Sequence, residues 1–139
     1  MKVLFICRAN AGRSQMAEAY YNAFTGTTDA MSAGLDLGNS VKGDDPSVPE
    51  MVVEVMREEG LGVSHNRRDL LSEAMVESAD KVVVITDYEL PEYLSSSPKL
   101  VRWEGIPDAV RTPIEFHRQV RDMVKEKVQK LVNEEGAGR

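Results

Sequence analysis

The sequence predicts an α/β fold built on a parallel sheet. Short runs rich in β-branched residues alternate along the chain with segments of helical periodicity, the pattern of strand–helix–strand units with right-handed crossovers. The first run, Val3 to Ile6, is apolar without two-residue alternation, as in a strand covered on both faces. No repeat, low-complexity tract or long linker divides the 139 residues, so they are read as one domain, 1–139.

A helix is expected after the first strand, from about Arg13 to Phe24. Met16, Ala17, Tyr20 and Phe24 recur at helical spacing, and Gly26 is the stop. Ala30 to Ala33 is a weak second strand ending at Gly34. Leu35 to Asp45 holds Gly38, Asn39, Gly43, Asp44 and Asp45 and reads as a loop. A second helix is expected from Ser47 to Glu59, with Met51, Val52, Val55 and Met56 on its apolar face and Gly60 closing it. Asp69 to Ser78 reads as a short helix, Lys81 to Thr86 as the clearest buried strand, and Leu100 to Trp103 as the last strand. Thr112 as cap and Pro113 in the first turn open a long helix. Its stripe is Phe116, Val120, Met123, Val124, Val128 and Leu131. The tail from Glu134 to Arg139 is expected to fray.

The net charge of −6 speaks against a general nucleic-acid or membrane-surface role, though a site can still be locally positive. No apolar run approaches the roughly 20 residues of a membrane span. The opening MKVLFI stops at Cys7-Arg8, too short for the core of a signal peptide, so the expected compartment is the cytoplasm. One cysteine excludes an intramolecular disulfide and a multi-thiolate metal cage.

That cysteine stands just past the first strand and before the first helix, at the sheet end where ligands bind in such folds. The segment CRANAGRS runs from Cys7 to Ser14. A loop of this length closing on a helix start can aim backbone N–H groups at one anion, and the helix end adds partial positive charge. Arg8, Ala9, Asn10, Ala11, Gly12 and Arg13 form this candidate phosphate-binding loop. Ala9, Ala11 and Gly12 admit a ligand close to the backbone. Asn10 tolerates a left-handed conformation. Arg13 offers a planar fork to two oxyanion oxygens. The same surroundings favour a thiolate, the nucleophilic form, and the Ser14 hydroxyl is placed to donate to it. Attack by sulfur would split a difficult transfer into two steps through a covalent intermediate. The alternative is a buried cysteine ending a strand, with Arg13 solvated. A nucleotide P-loop is a poor fit, because GxxxxGK[ST] is absent.

These residues resemble the low-molecular-weight protein tyrosine phosphatase superfamily, which includes one class of arsenate reductases. The resemblance starts with VLFICRANAGRSQMAEA and continues through SAG at Ser32 to Gly34 and EEGLGVSHNRRDL. It then takes in ADKVVVIT, Ala79 to Thr86, and KLVRWEGIPDA, Lys99 to Ala109. It implies a four-stranded parallel sheet flanked by helices on both faces. It also implies an acid after the last strand that protonates the leaving oxygen and later activates water. Asp108 takes that place, preceded by Pro107 and followed by Ala109, where the family usually has Pro. Asp44 and Asp45 are alternatives on the same presumed rim, and an ordinary loop role is the other reading of Asp108. Where the family's phosphotyrosine enzymes place aromatic residues, Val110 and Arg111 stand instead. Tyr88 either lines the pocket mouth or lies on the surface. His65 and His117 are expected on the surface, with no metal and no cofactor required.

The reading is a phosphomonoester hydrolase of the protein tyrosine phosphatase type, with Cys7, Arg13, Ser14 and Asp108 catalytic. Its partner would be a phosphorylated substrate (phosphotyrosine or a small aryl phosphate) or an oxyanion such as phosphate or arsenate, with no nucleic acid and no membrane. The alternative is an arsenate reductase. The loop wording NAGRSQMAEA favours that branch, but no second cysteine is present, so an external small thiol would be needed. The third reading is a non-catalytic phosphate-binding module.

Overall fold

A computed structural model of the chain describes residues 1–37 and 46–137. Most of the expected loop, including Asp44 and Asp45, and the last two residues lie outside them. The element order is β1 (Val3–Cys7), α1 (Arg13–Thr25), β2 (Ala30–Gly34), α2 (Glu50–Arg57), α3 (Glu73–Ser78), β3 (Lys81–Val84), α4 (Glu92–Ser95), β4 (Leu100–Arg102) and α5 (Ile114–Ala137). The four strands form one parallel sheet in the order β2-β1-β3-β4.

β1 is central and all five of its residues are buried. Successive side chains leave a strand on opposite faces. Val3 and Phe5 therefore enter one core with Val83, α1, α2 and α5, while Leu4 and Ile6 enter the other with Val82, Val84, Val76 and Leu94. Helices cover both faces, which is why β1 shows no polar alternation. Phe5 packs its ring 6.0 Å from Tyr21 and 5.7 Å from Trp103. α1 stops where Gly26 turns left-handed at φ 68° and returns its N–H to the Asn22 carbonyl. α5 lays Val120, Val124, Val128 and Leu131 on the core. Outside that core, Glu58 joins α2 to α5 by accepting from Arg118 (2.7 Å) and Arg121 (2.7 Å), and Glu59 accepts from Lys125 and the Tyr20 hydroxyl, each at 2.8 Å.

Several expectations are corrected. The second helix starts at Glu50, not Ser47, because Ser47 pairs with Arg67 in an antiparallel bridge and Pro46 accepts from the Arg68 N–H. The third starts at Glu73. Residues 69–71 instead extend beside β2: the Gly34 N–H donates to Asp69 O and the Leu71 N–H to Gly34 O, each at 2.8 Å. The Lys81–Thr86 strand ends its ladder at Val84, and the last strand at Arg102. α4 was not expected at all; four residues are too few for a periodic signal. Met51 and Met123 are exposed, not buried. Thr112 does not cap α5; its hydroxyl turns back to the Ala109 carbonyl at 2.6 Å. The C-terminal turn expected to fray is helical to Ala137, tied down by the Tyr21 hydroxyl donating to Glu135 at 2.7 Å. His117 is buried rather than on the surface.

Candidate active site

The loop after β1 is held by backbone pairing that continues the β1–β2 ladder. The Leu35 N–H donates to the Cys7 carbonyl (3.1 Å) and the Asp36 N–H to Arg8 O (2.7 Å). The loop then presses against the end of β2. A Cβ at Gly34 would lie 2.7 Å from both Ala9 C and Asn10 N, so the close approach requires glycine. Asn10 turns the chain at φ 53°, the left-handed region it tolerates without a Cβ-branched penalty. Gly12 then leads into α1, whose first N–H groups have no partner within the helix.

One hydrogen-bond chain fixes the orientation of the Ser14 hydroxyl against the sulfur. The Asp69 N–H donates to Asn10 Oδ1 at 2.8 Å. A backbone amide can only donate, so the other end of the Asn10 amide, Nδ2, is what faces Ser14 Oγ at 2.8 Å. Ser14 Oγ therefore accepts from Asn10 and keeps its own proton for Cys7 Sγ, 3.0 Å away. All three residues are buried.

A further layer supports Asn10. Gln15 Nε2 donates to Asn10 O and Oδ1, each at 3.2 Å, and to Arg67 O at 3.0 Å. Its own Oε1 accepts from Asn66 Nδ2 at 3.1 Å. Asn66 also reaches Glu18, whose other oxygen accepts from Ser32 Oγ at 3.1 Å. Burial raises the Glu18 carboxyl above its ordinary range, opposed in part by the Ser32 bond. Gln15, Asn66 and Glu18 were not singled out from the sequence. The available signal was a glutamine beside Met16 and Ala17 on a helix face turned to the core.

Arg13 is buried and spans the gap between this loop and the segment after β4. Its Nη1 donates to Ile106 O at 3.2 Å, and Nη2 stands 3.8 Å from Asp108 Oδ2. The other Asp108 oxygen accepts from the Val110 N–H at 3.0 Å, which fixes the carboxylate relative to its own loop. Cys7, Ala11, Gly12, Arg13 and Asp108 line one cavity of about 460 Å³, walled by Met51 and Val52 from α2 and by Val110, Arg111 and His117. A second hollow of about 660 Å³ shares Arg13 and Asp108 with the first. There the Arg8 guanidinium sits 5.2 Å from the centre of the Tyr88 ring. Tyr88 thus borders the second hollow. Among the described residues no Phe, Tyr or Trp borders the first, and His65 is exposed and apart from both. Among the described residues no group of three or more His, Cys, Asp or Glu is placed to hold a metal ion. The cavity offers a thiol, a guanidinium and a carboxyl around one volume, enough for nucleophilic attack, oxyanion binding and proton transfer.

The sequence model described as low molecular weight phosphotyrosine protein phosphatase matches residues 2–137. An arsenate reductase 2 of Staphylococcus epidermidis is 29% identical over 126 residues, covering 88% of this chain and 89% of its own. A low molecular weight protein tyrosine phosphatase from T. tengcongensis superimposes with a TM-score of 0.79 at 26% identity, over 96% of this chain and 99% of the other. An arsenate reductase in its phosphate-binding state does so with a TM-score of 0.78 at 26% identity, over 96% and 98%.

Proposed function

The chain belongs to the low molecular weight phosphotyrosine protein phosphatase family, and on that premise we propose that it is a phosphomonoester hydrolase working through a cysteinyl-phosphate. The observation that carries the reading is the oriented Ser14 hydroxyl on Cys7 Sγ, in the same cavity as Arg13 and Asp108. The Cys7 thiolate attacks phosphorus, and the ester P–O bond breaks. Arg13 and the helix end hold the non-bridging oxygens as charge builds on them. Asp108 gives its proton to the departing oxygen. A water then attacks the Cys7 adduct, Asp108 takes its proton, and the S–P bond breaks to release phosphate. A lone thiol stays reduced in a reducing compartment, so the proposal places the protein in the cytoplasm.

The second reading is arsenate reduction, favoured by the similarity to a protein named arsenate reductase. The Cys7 thiolate would attack arsenic(V) as one As–O bond breaks and that oxygen leaves as water, and an external thiol would then attack the Cys7 sulfur. Arsenite leaves with the electron pair, and a mixed disulfide forms on Cys7. A further equivalent of the small thiol then restores Cys7. This needs a co-reactant at each turn, whereas hydrolysis needs only water and Asp108. The test assays p-nitrophenyl phosphate and arsenate in parallel, with and without a low-molecular-weight thiol. Phosphate release without thiol is expected. Thiol-dependent arsenite release far faster than phosphate release reverses the ranking, and silence in both assays leaves a phosphate-binding module.

A further inference from the structure

The segment that carries Asp108 ends in a strained turn. Arg111 stands at φ 61°, a left-handed conformation that costs a non-glycine residue energy and persists only where its surroundings enforce it. The turn is closed by the Thr112 N–H, which donates to the Ala109 carbonyl at 3.1 Å. The Thr112 hydroxyl donates to the same carbonyl at 2.6 Å. Ala109 is the residue next to the acid, so this carbonyl sets where Asp108 leaves the turn.

His117 holds the other side of that hydroxyl. Its Nδ1 lies 3.3 Å from Thr112 Oγ1 and 3.2 Å from Pro113 O. A carbonyl can only accept, and the Thr112 proton is already committed to Ala109. Both contacts therefore assign the ring proton to Nδ1, which donates. The ring is buried at 6% exposure, one turn into α5 and against the cavity. Its position is fixed by the long helix, not by the loop.

We propose that His117 is a positioning residue for the acid. Its Nδ1–H orients the Thr112 hydroxyl, which holds the Ala109 carbonyl and keeps Asp108 beside Arg13. The proposal rests on the assignment of Asp108 as the acid. It predicts a defect that grows with the need for a proton, which loss of packing alone does not produce. Asparagine can place an amide N–H near the position of Nδ1, whereas glutamine places its amide near Nε2.

The experiment compares phenyl phosphate, a poor leaving group, with p-nitrophenyl phosphate, a good one, on the full chain. His117→Gln should lower kcat on phenyl phosphate by about tenfold or more and on p-nitrophenyl phosphate by under about threefold. His117→Asn should recover most of the loss. Thr112→Val should match His117→Gln, and Thr112→Ser should match the wild type, which keeps the test alive if a His117 variant does not fold. Equal losses on both substrates, or Asn failing as badly as Gln, overturn the proposal. Asp108→Asn is run alongside. If it shows no leaving-group dependence, the acid assignment itself fails and takes this proposal with it; if it does, a flat response in the His117 and Thr112 variants condemns the positioning role alone.

Discussion

Asn10 Nδ2 donates to Ser14 Oγ at 2.8 Å, and this single bond decides which way the serine proton points. With Asn10 Oδ1 tied to the Asp69 N–H, the amide cannot flip without losing both contacts. Ser14→Ala should therefore slow the attack of Cys7. A hydrogen bond to a charged group is worth about 1.5–3 kcal/mol, or about ten- to hundredfold in rate. Asn10→Gly keeps the left-handed turn and removes the amide, so it should show a similar loss of rate, together with lower stability because Ser14, Gln15 and the Asp69 N–H lose a buried partner. Burst kinetics measure the first step directly. An unchanged burst rate in both variants would mean that the chain does not activate the sulfur.

Cys7→Ser should abolish turnover while phosphate still binds, because Arg13 and the loop remain. Arg13→Lys keeps the charge but loses the fork that spans Ile106 O and faces Asp108. It should be impaired by about a hundredfold or more, in the range measured when an oxyanion donor is removed. Near-native turnover with lysine would show Arg13 to be only a distant charge.

Asp108→Asn should slow esters with poor leaving groups by about 10²–10⁴-fold, the usual contribution of general acid catalysis, and activated esters far less. A leaving-group series with steady-state kcat reads this. A uniform loss assigns Asp108 a role in placing Arg13 instead.

Gly34→Ala should distort the loop from beneath. The added carbon meets backbone, not a flexible side chain, at 2.7 Å. A cost of about 1–3 kcal/mol is expected from overpacking, with phosphate affinity falling alongside stability. Urea melts with and without phosphate separate the two effects. Unchanged values would show that the β2 end can retreat.

Glu58 contributes to the acid limb of stability, alongside Glu59, whose carboxyl is lowered by bonds from Lys125 and Tyr20. Hydrogen bonds from Arg118, with help from Arg121, hold the Glu58 carboxyl at about 2, against 4.5 ordinarily. Because the folded value is the lower one, the stabilisation is present above 4.5 and drains away as the pH falls toward 2. Glu58→Gln should flatten the pH dependence of the denaturation midpoint across that window. A wild-type slope in the variant would move the effect to other carboxylates.

The candidate site residues legible from local pattern are contiguous, whereas Asp108 is legible only through the resemblance. Cys7, Asn10, Arg13 and Ser14 lie within eight residues, and the strand before and helix after them carry strong apolar patterns. The Gln15–Asn66 bond joins residues 51 apart, and the place of Gln15 on a core-facing helix does not name its partner, so only the fold brings them together. His117 was misplaced although a signal existed: it precedes Val120 by three and Val124 by seven, on the same helix stripe. Its imidazole is polar by residue type but buried by its place on that stripe. The starts of α2 and α3 were misread because pairing with distant backbone, at Ser47–Arg67 and Gly34–Leu70, overrode local propensity.

Cys7 ends a strand paired on both sides and buried along its length, whereas Asp108 follows β4, a three-residue edge strand with two exposed residues. Local opening follows buried contact density, so Cys7 and Asp108 sit in regions of different protection. Amide exchange should be slowest along Leu4 to Ile6 and faster between Trp103 and Thr112. On warming, the protein should first become an enzyme without its acid, still phosphorylated on sulfur by activated esters but failing on demanding ones. Cys7, which lines the cavity in the folded state, should keep its native reactivity until global unfolding. Thermal inactivation would then have two midpoints, set by which substrate is used to observe it.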